Sequence, residues 1–236
     1  MTRRSMTVGR DRFIVGPWHE RPDIAYLSVA PSVHTLTNPN SVVRCVQSLL
    51  ESGYNGAVTA ALRGNDAHVF ASAGFDERER LLVLRHDLDD LVDLDPEHAT
   101  LIRRARRRDR PAVLAVDDRA FESFWSLGED GLSEALTATA SVRFRVLETT
   151  GVRGYAVTGR SGEIGYLQRL AVDPEATARG FGTALVLDSL HWLKRRRGRN
   201  MFVNTQQSNA PALALYQRLG FRVIDEHLTV MQWPAR

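Results

Sequence analysis

Cysteine, lysine and long apolar runs are all scarce in this sequence. Cys45 stands alone, which excludes an internal disulfide and any cysteine-based zinc cluster within the chain. The seven histidines are scattered without the spacing of metal ligands, so no metal is expected. No uninterrupted apolar stretch approaches the roughly 20 residues of a membrane helix. The first residues, "MTRRSMTVGRDR", have no apolar run after their arginines, so the expectation is a cytoplasmic protein without a secretory leader. Lys194 is the single lysine, and every other strongly basic side chain is arginine.

What is present is material for a sizeable core. The chain has 236 residues, 43% of them hydrophobic and 25% charged, which describes a globular protein of one large or two smaller domains. The net charge of +3 is mild, but arginines cluster in "RRARRRDR" (Arg103 to Arg110) and "KRRRGR" (Lys194 to Arg199). Such runs suit a polyanion. The favoured alternative is a solvated strand end and a helix C-terminus, where cations complement the dipole. No aromatic side chains interleave for base stacking, so nucleic acid is not an expected partner.

The stretch "NAPALALYQRLGF" reads as a helix with both ends marked. Asn209 caps it, Pro211 fits its first turn and Gly220 stops it. Ala212, Leu215 and Leu219 form a stripe that predicts a core-facing side, and Tyr216 stands beside that stripe. Upstream, "GEIGYLQRLAVDP" reads as a strand, "EATARGFG" as a loop, and about Thr183 to Lys194 as a helix. "RNMFVNTQQ" reads as the next strand, and "RVIDEHLTVMQW" after the Tyr216 helix as one or two more. The strand, loop, helix, strand order is a βαβ unit, so its two strands are expected to be parallel neighbours.

The loop carries chemistry. Gly180 and Gly182 bracket Phe181 where a strand hands over to a helix, so backbone N–H groups converge at a helix N-terminus and favour a phosphate or pyrophosphate. No Gly-Lys-Ser/Thr follows, so this is not a P-loop. Nor does it have the three glycines of the dinucleotide fingerprint.

Residues 164 to 221 resemble the acyl-CoA core of the GNAT superfamily of N-acetyltransferases. "LQRLAVDP" is similar to the family's fourth strand, "ARGFG" to its pyrophosphate loop, and "NAPALALYQRLGF" to the helix that holds the general acid. Thr177 departs from the Gln or Arg of the loop pattern. Within the family, "QSNAPALALYQRLGF" most resembles the ribosomal-protein N-terminal acetyltransferases. "LIRRARRRDRPAVLAVDDRAFESFW" resembles the first strand and helix, which places the complete domain at residues 97–236. The resemblance implies an α/β fold with a mixed sheet, and acetyl-CoA as cosubstrate. It implies that backbone groups of Leu170, Ala171 and Val172 pair with the pantetheine arm. Backbone N–H groups of Ala178, Gly180, Phe181, Gly182 and Thr183 would hold the pyrophosphate, with Arg179 nearby, and Asn209 would touch the cofactor near the thioester. Tyr216 would protonate the departing thiolate, since a phenol of pKa about 10 can serve a thiolate of about 8.5 when solvent is excluded. A buried tyrosine bonded to backbone is the purely structural alternative.

One position departs from the N-terminal acetyltransferases. Asn204 stands where their strand carries a glutamate base, and a carboxamide accepts no proton. Glu163, Glu226 and His227 lie on adjoining expected strands and could act through a water, or the amine could arrive already neutral. The base is unassigned at this stage.

The first 95 residues echo the rest. "SGYNGAVTAALRGNDAHVFASAGFDERERLLVLRHDL" parallels "RGRNMFVNTQQSNAPALALYQRLGFRVIDEHLTVMQW". Asn65 falls near Asn209, Phe70 in the place of Tyr216, and Gly74-Phe75 at Gly220-Phe221, with a helix that reads two residues shorter. "IAYLSVAP" echoes "GYLQRLAVDP", and the "SVHTLTNPN" that follows has no glycine. The expectation is a tandem GNAT fold: a degenerate half-domain over 1–95 serving as scaffold, and a complete acetyltransferase domain over 97–236. Such a protein would transfer acetyl from acetyl-CoA to a primary amine, by direct attack in a ternary complex. The helix motif favours a protein N-terminal α-amine as acceptor. A small-molecule amine is the alternative, because double-domain architecture also resembles mycothiol synthase. A non-catalytic acyl-CoA sensor or a nucleic-acid-binding protein is the other class. Oligomeric state is left open.

Overall fold

A computed structural model of the protein describes residues 3–19, 21–30 and 37–233. The strands are β1 (Arg4–Val8), β2 (Asp11–Trp18), β3 (Arg21–Val29), β4 (Gly56–Thr59), β5 (Asp76–His86), β6 (Ile102–Arg104), β7 (Ser141–Glu148), β8 (Val152–Ser161), β9 (Ile164–Val172), β10 (Asn200–Gln206) and β11 (Arg222–Trp233). The helices are α1 (Pro39–Glu51), α2 (Gly64–Ser72), α3 (Pro96–Leu101), α4 (Arg110–Ala120), α5 (Glu129–Thr137), α6 (Phe181–Arg195) and α7 (Ala210–Arg218). The chain divides into two compact units. One comprises residues 1–82, 206–208 and 225–236, and the other 83–205 and 209–224.

In the first unit the strand order is β1-β2-β3-β4-β11-β5. The β1, β2 and β3 strands form an antiparallel meander, β3 and β4 are parallel, and β11 runs antiparallel to β4 with Trp233 opposite Ala57. Its core gathers Phe13, Leu27, Val42, Val46, Leu49, Phe70, Phe75 and Met231. Helix α1 buries one stripe, Val42, Cys45, Val46 and Leu49, and Asn38 caps it by accepting from the Asn40 N–H.

The second unit has the order β10-β9-β8-β7-β6. Again a meander, β7-β8-β9, is antiparallel, and the following pair, β9 and β10, is parallel. The expected βαβ order is therefore present in both units, since β3-α1-β4-α2-β5 follows the same sequence of elements as β9-α6-β10-α7-β11. The core here is Val113, Val116, Leu132, Val146, Tyr155, Val157 and Ala171. The architecture is α/β with mixed strand pairing, and the same strand-helix frame occurs twice.

Several details differ from the sequence-based expectation. The first copy carries β1 and β2 ahead of the segment starting at Ile24. Neither advertised itself, because β1 is only five residues long and β2 contains Gly16-Pro17. Helices α2 and α7 have equal length, nine residues each. The N-cap of α2 is Arg63, without a side-chain cap bond, so Asn65 lies inside the helix and is no counterpart of Asn209. Phe70 and Tyr216 do coincide, each the seventh residue of its helix, and each helix ends at a left-handed glycine, Gly74 at φ 92° and Gly220 at φ 89°. On α7 the stripe of Ala212, Leu215 and Leu219 is half-buried, and Tyr216 is the one residue fully turned inward. "RVIDEHLTVMQW" is a single strand. In the "SVHTLTNPN" connection of the first copy, residues 32–36 lie outside the described residues, as does Pro31.

The first arginine run is not a plain solvated end. Arg103 grips Asp109 through two bonds of 2.7 and 2.9 Å and Glu148 through one of 2.6 Å, and Asp109 also accepts from the Arg106 N–H. The Arg103 guanidinium holds the Asp109 carboxyl down at about 2. No helix among the described residues is long and apolar enough to cross a membrane.

Candidate active site

Strands β8 and β9 slip register between Val157 and Thr158: Arg169 faces Val157 and Leu167 faces Thr158. Gln168 is the extra residue, a β-bulge that bends β9. The parallel pairing of β9 with β10 runs from Ile164 to Tyr166 and is not continued by Leu167 to Val172. The two strands part there, and both line a cleft of about 570 Å³, a size suited to a small-molecule site. On its other side the Leu170–Val172 stretch stays paired to β8. One backbone edge of β9 is thus left facing the cleft.

The loop before α6 forms the next wall. Asp173 is fully buried and accepts from Arg119 at 2.7 Å, Arg153 at 3.2 Å and the Glu175 N–H at 3.1 Å. The bond from Arg119 is the main cause that holds its carboxyl below the usual range. After a short 3-10 turn over Pro174–Ala176, Ala178 (φ 60°) and Gly180 (φ 76°) take left-handed conformations and α6 starts at Phe181, two residues earlier than expected. A left-handed alanine costs roughly 1–2 kcal/mol, so the loop holds strain where its N–H groups converge. Gly180 is needed for room as well as for φ, because a Cβ there would come within 2.9 Å of the His98 ring.

Ten of the eleven site residues expected from the sequence line this cleft: Leu170, Ala171, Val172, Ala178, Gly180, Phe181, Gly182, Thr183, Asn209 and Tyr216. Arg179 lies in the same loop, exposed and outside the lining. The Asn209 side chain accepts from the Ala212 N–H at 3.2 Å, capping α7 and leaving its amide N–H groups available.

Tyr216 is 6% exposed, and burial pushes its phenol well above the ordinary value, with the Arg169 charge working in the opposite direction. Its ring packs on Phe221 at 5.6 Å, and its hydroxyl has no hydrogen-bond partner among the described residues. Tyr155 shows the contrast: fully buried, it donates to Asp117. Tyr216 therefore does not fit the purely structural alternative of a hydroxyl bonded to backbone.

Beside the cleft lies a network the sequence did not disclose. Arg169 bonds Asp117 through Nε at 2.7 Å and a terminal nitrogen at 2.8 Å, and also donates to the Trp125 carbonyl at 2.7 Å. Its guanidinium sits 3.5 Å over the Phe121 ring. Arg169 and Phe121 line the cleft. The available signal was a charge within the apolar pattern of "LQRLAV", with nothing to name its partner 52 residues away.

None of the possible bases lines the cleft. Asn204 does, as a carboxamide. Glu163 pairs with Arg199 at 2.7 Å at the other end of β9, and Glu226 and His227 are exposed residues of the first unit. Among the described residues no group of three His, Cys, Asp or Glu could hold a metal ion.

Residues 96–221 match the Acetyltransferase (GNAT) family. The chain belongs to the GNAT family of acetyltransferases. Among relatives of this GNAT protein, the mycothiol acetyltransferase of Acidothermus cellulolyticus is 32% identical over 63% of the chain and 53% of that protein. The mycothiol acetyltransferase of Rhodococcus erythropolis is 27% identical over 86% of the chain and 73% of that protein. The chain thus spans between about half and three quarters of the length of these two relatives. The [ribosomal protein bS18]-alanine N-acetyltransferase of Escherichia coli K12 is 27% identical over 48% of the chain and 74% of that protein. In fold, a tandem GNAT protein from the clavulanic acid biosynthesis pathway superposes with a TM-score of 0.65 at 12% identity, over 96% of this chain and 79% of that one.

Proposed function

We propose that the cleft of the second unit transfers an acetyl group from acetyl-CoA to a primary amine by direct attack, with Tyr216 as the general acid. The observation that carries this is a buried phenol, without a hydrogen-bond partner among the described residues, in the same cleft as an open strand edge and a left-handed loop at a helix N-terminus. Those features fit acetyl-CoA. The edge of Leu170, Ala171 and Val172 would pair with the pantetheine arm, and the N–H groups from Ala178 to Thr183, with Arg179 at the rim, would hold the pyrophosphate. Asn209 would donate to the cofactor through its free amide. When bound, acetyl-CoA supplies an activated acyl carbon and a thiolate leaving group. Tyr216, protonated at neutral pH, then holds the proton that the sulfur takes.

The likeness to mycothiol acetyltransferases extends over 86% of the chain in the Rhodococcus protein, whereas the bS18-alanine enzyme matches 48%. That difference in extent favours a small-molecule amine over a protein N-terminus as the acceptor. A pure acyl-CoA sensor has no use for a proton donor at residue 216. Thiol release from acetyl-CoA against a panel of peptides and small amines tests the proposal. The Tyr216→Phe variant should bind the cofactor normally and turn over about 10²–10³-fold more slowly. Cofactor binding with no turnover by the unaltered protein on any amine would give the sensor the lead.

A further inference from the structure

Among the described residues, no group that lines the cleft is able to take a proton from an incoming ammonium. Asn204 is a carboxamide, Tyr216 is a phenol held protonated by its burial, and Arg169 is a cation. Asp117, the carboxylate that Arg169 holds, is fully buried and outside the lining. Its oxygens already accept two bonds from Arg169, one from the Tyr155 hydroxyl and one from the Leu127 N–H at 2.6 Å. That is the full acceptor capacity of a carboxylate. An ammonium entering this cleft gives up hydration and meets no anion among the described lining residues, a cost of several kcal/mol. A neutral amine gives up far less.

We infer that the cleft selects its acceptor by basicity, acetylating amines with a sizeable neutral fraction at pH 7 and passing over lysine-type ε-amines. The inference rests on the transfer reading above and narrows its substrate class. An α-amine, with a pKa of about 7.7–8.0, is roughly one-tenth neutral at pH 7; a lysine amine, near 10.4, is neutral in only about one molecule in 2,500. In the step itself the neutral nitrogen forms the C–N bond as the C–S bond breaks. The sulfur takes its proton from Tyr216, the surplus proton on nitrogen leaves to water, and the phenolate is reprotonated from water.

The test is thiol release by the intact protein between pH 6 and 9 with four acceptors: Ala-Gly-Gly amide, glucosamine, ethanolamine and Nα-acetyl-lysine amide. At pH 7 the less basic pair should be acetylated at least 30-fold faster than the more basic pair. With Ala-Gly-Gly amide, kcat/KM should level off near pH 8, at the amine's own pKa. With Nα-acetyl-lysine amide it should still climb about tenfold per pH unit through pH 9, because its neutral fraction does. A levelling at one shared pH for all acceptors would assign the proton to an enzyme group and overturn the inference, leaving transfer intact. So would equal rates for the lysine amide and Ala-Gly-Gly amide at pH 7. Absence of thiol release with all four would remove the transfer reading, and this inference with it.

Discussion

Phe70 and Tyr216 occupy the same place in two copies of one frame. Each is the seventh residue of a nine-residue helix that follows a parallel strand pair and ends at a left-handed glycine. Each packs on the phenylalanine after that glycine, Phe75 at 5.1 Å and Phe221 at 5.6 Å. The frame needs an aromatic ring there and nothing more. In the first unit the ring is fully buried in a core that includes Val46, Leu49 and Met231; in the second it borders the cleft and carries a hydroxyl with no partner among the described residues. The hydroxyl adds nothing that the frame needs, and it stands at the cleft, where a ligand can use it.

The comparison can be broken most severely at the two rings themselves. Tyr216→Phe makes the second copy match the first, and the loss of about 10²–10³-fold in turnover should come with an unchanged urea midpoint. Phe70→Ala should do the reverse, costing about 3–5 kcal/mol of stability through the cavity it leaves, read as a lowered urea midpoint with little change in m. A loss under 1 kcal/mol would mean that the first unit does not depend on that ring.

Gly180→Ala sharpens the contrast between the two connections into α1 and α6. Alanine at φ 76°, against His98, should cost roughly 1–2 kcal/mol and weaken acetyl-CoA binding about tenfold by calorimetry. Unaltered affinity would show that the loop's left-handed geometry does not hold the cofactor.

The smallest expected effect concerns the far end of the Tyr216 helix. His86 is buried, accepts from the Leu88 N–H through Nδ1 at 2.8 Å and packs on Phe221 at 5.1 Å. Burial lowers its pKa below the ordinary value, so the folded state holds it neutral while the unfolded chain binds a proton near 6.5. The stability it contributes is complete above pH 6.5 and is lost as pH falls from there toward the folded-state pKa. The urea midpoint should therefore decline between pH 7 and 5 more steeply for the unaltered protein than for His86→Gln.

Much of the site was legible because its markers are local. Asn209, Pro211 and Gly220 act within a few residues of themselves, and the glycines of "RGFG" set their own backbone, so α7 and the loop could be read from short windows. Beyond such windows the reading failed. Nothing near Arg169 names Asp117, and the half-buried stripe of Ala212, Leu215 and Leu219 passed for the core face, because a helical period does not say which neighbour arrives to cover it.

By itself, then, the sequence determined the repeat, the caps, the left-handed glycines and the identity of the ring at 70 and 216. These follow from conformational preferences that each segment carries wherever it sits. Tertiary structure alone decided the parting of β9 from β10 after the Gln168 bulge and the buried Arg169–Asp117 pair. It also decided the enlistment of residues 225–233 of β11 in the first unit, beside β4. Each of those depends on which distant backbone edge or charge comes to meet a segment, and that is settled by packing and strand pairing across the fold, not by any run of neighbouring residues.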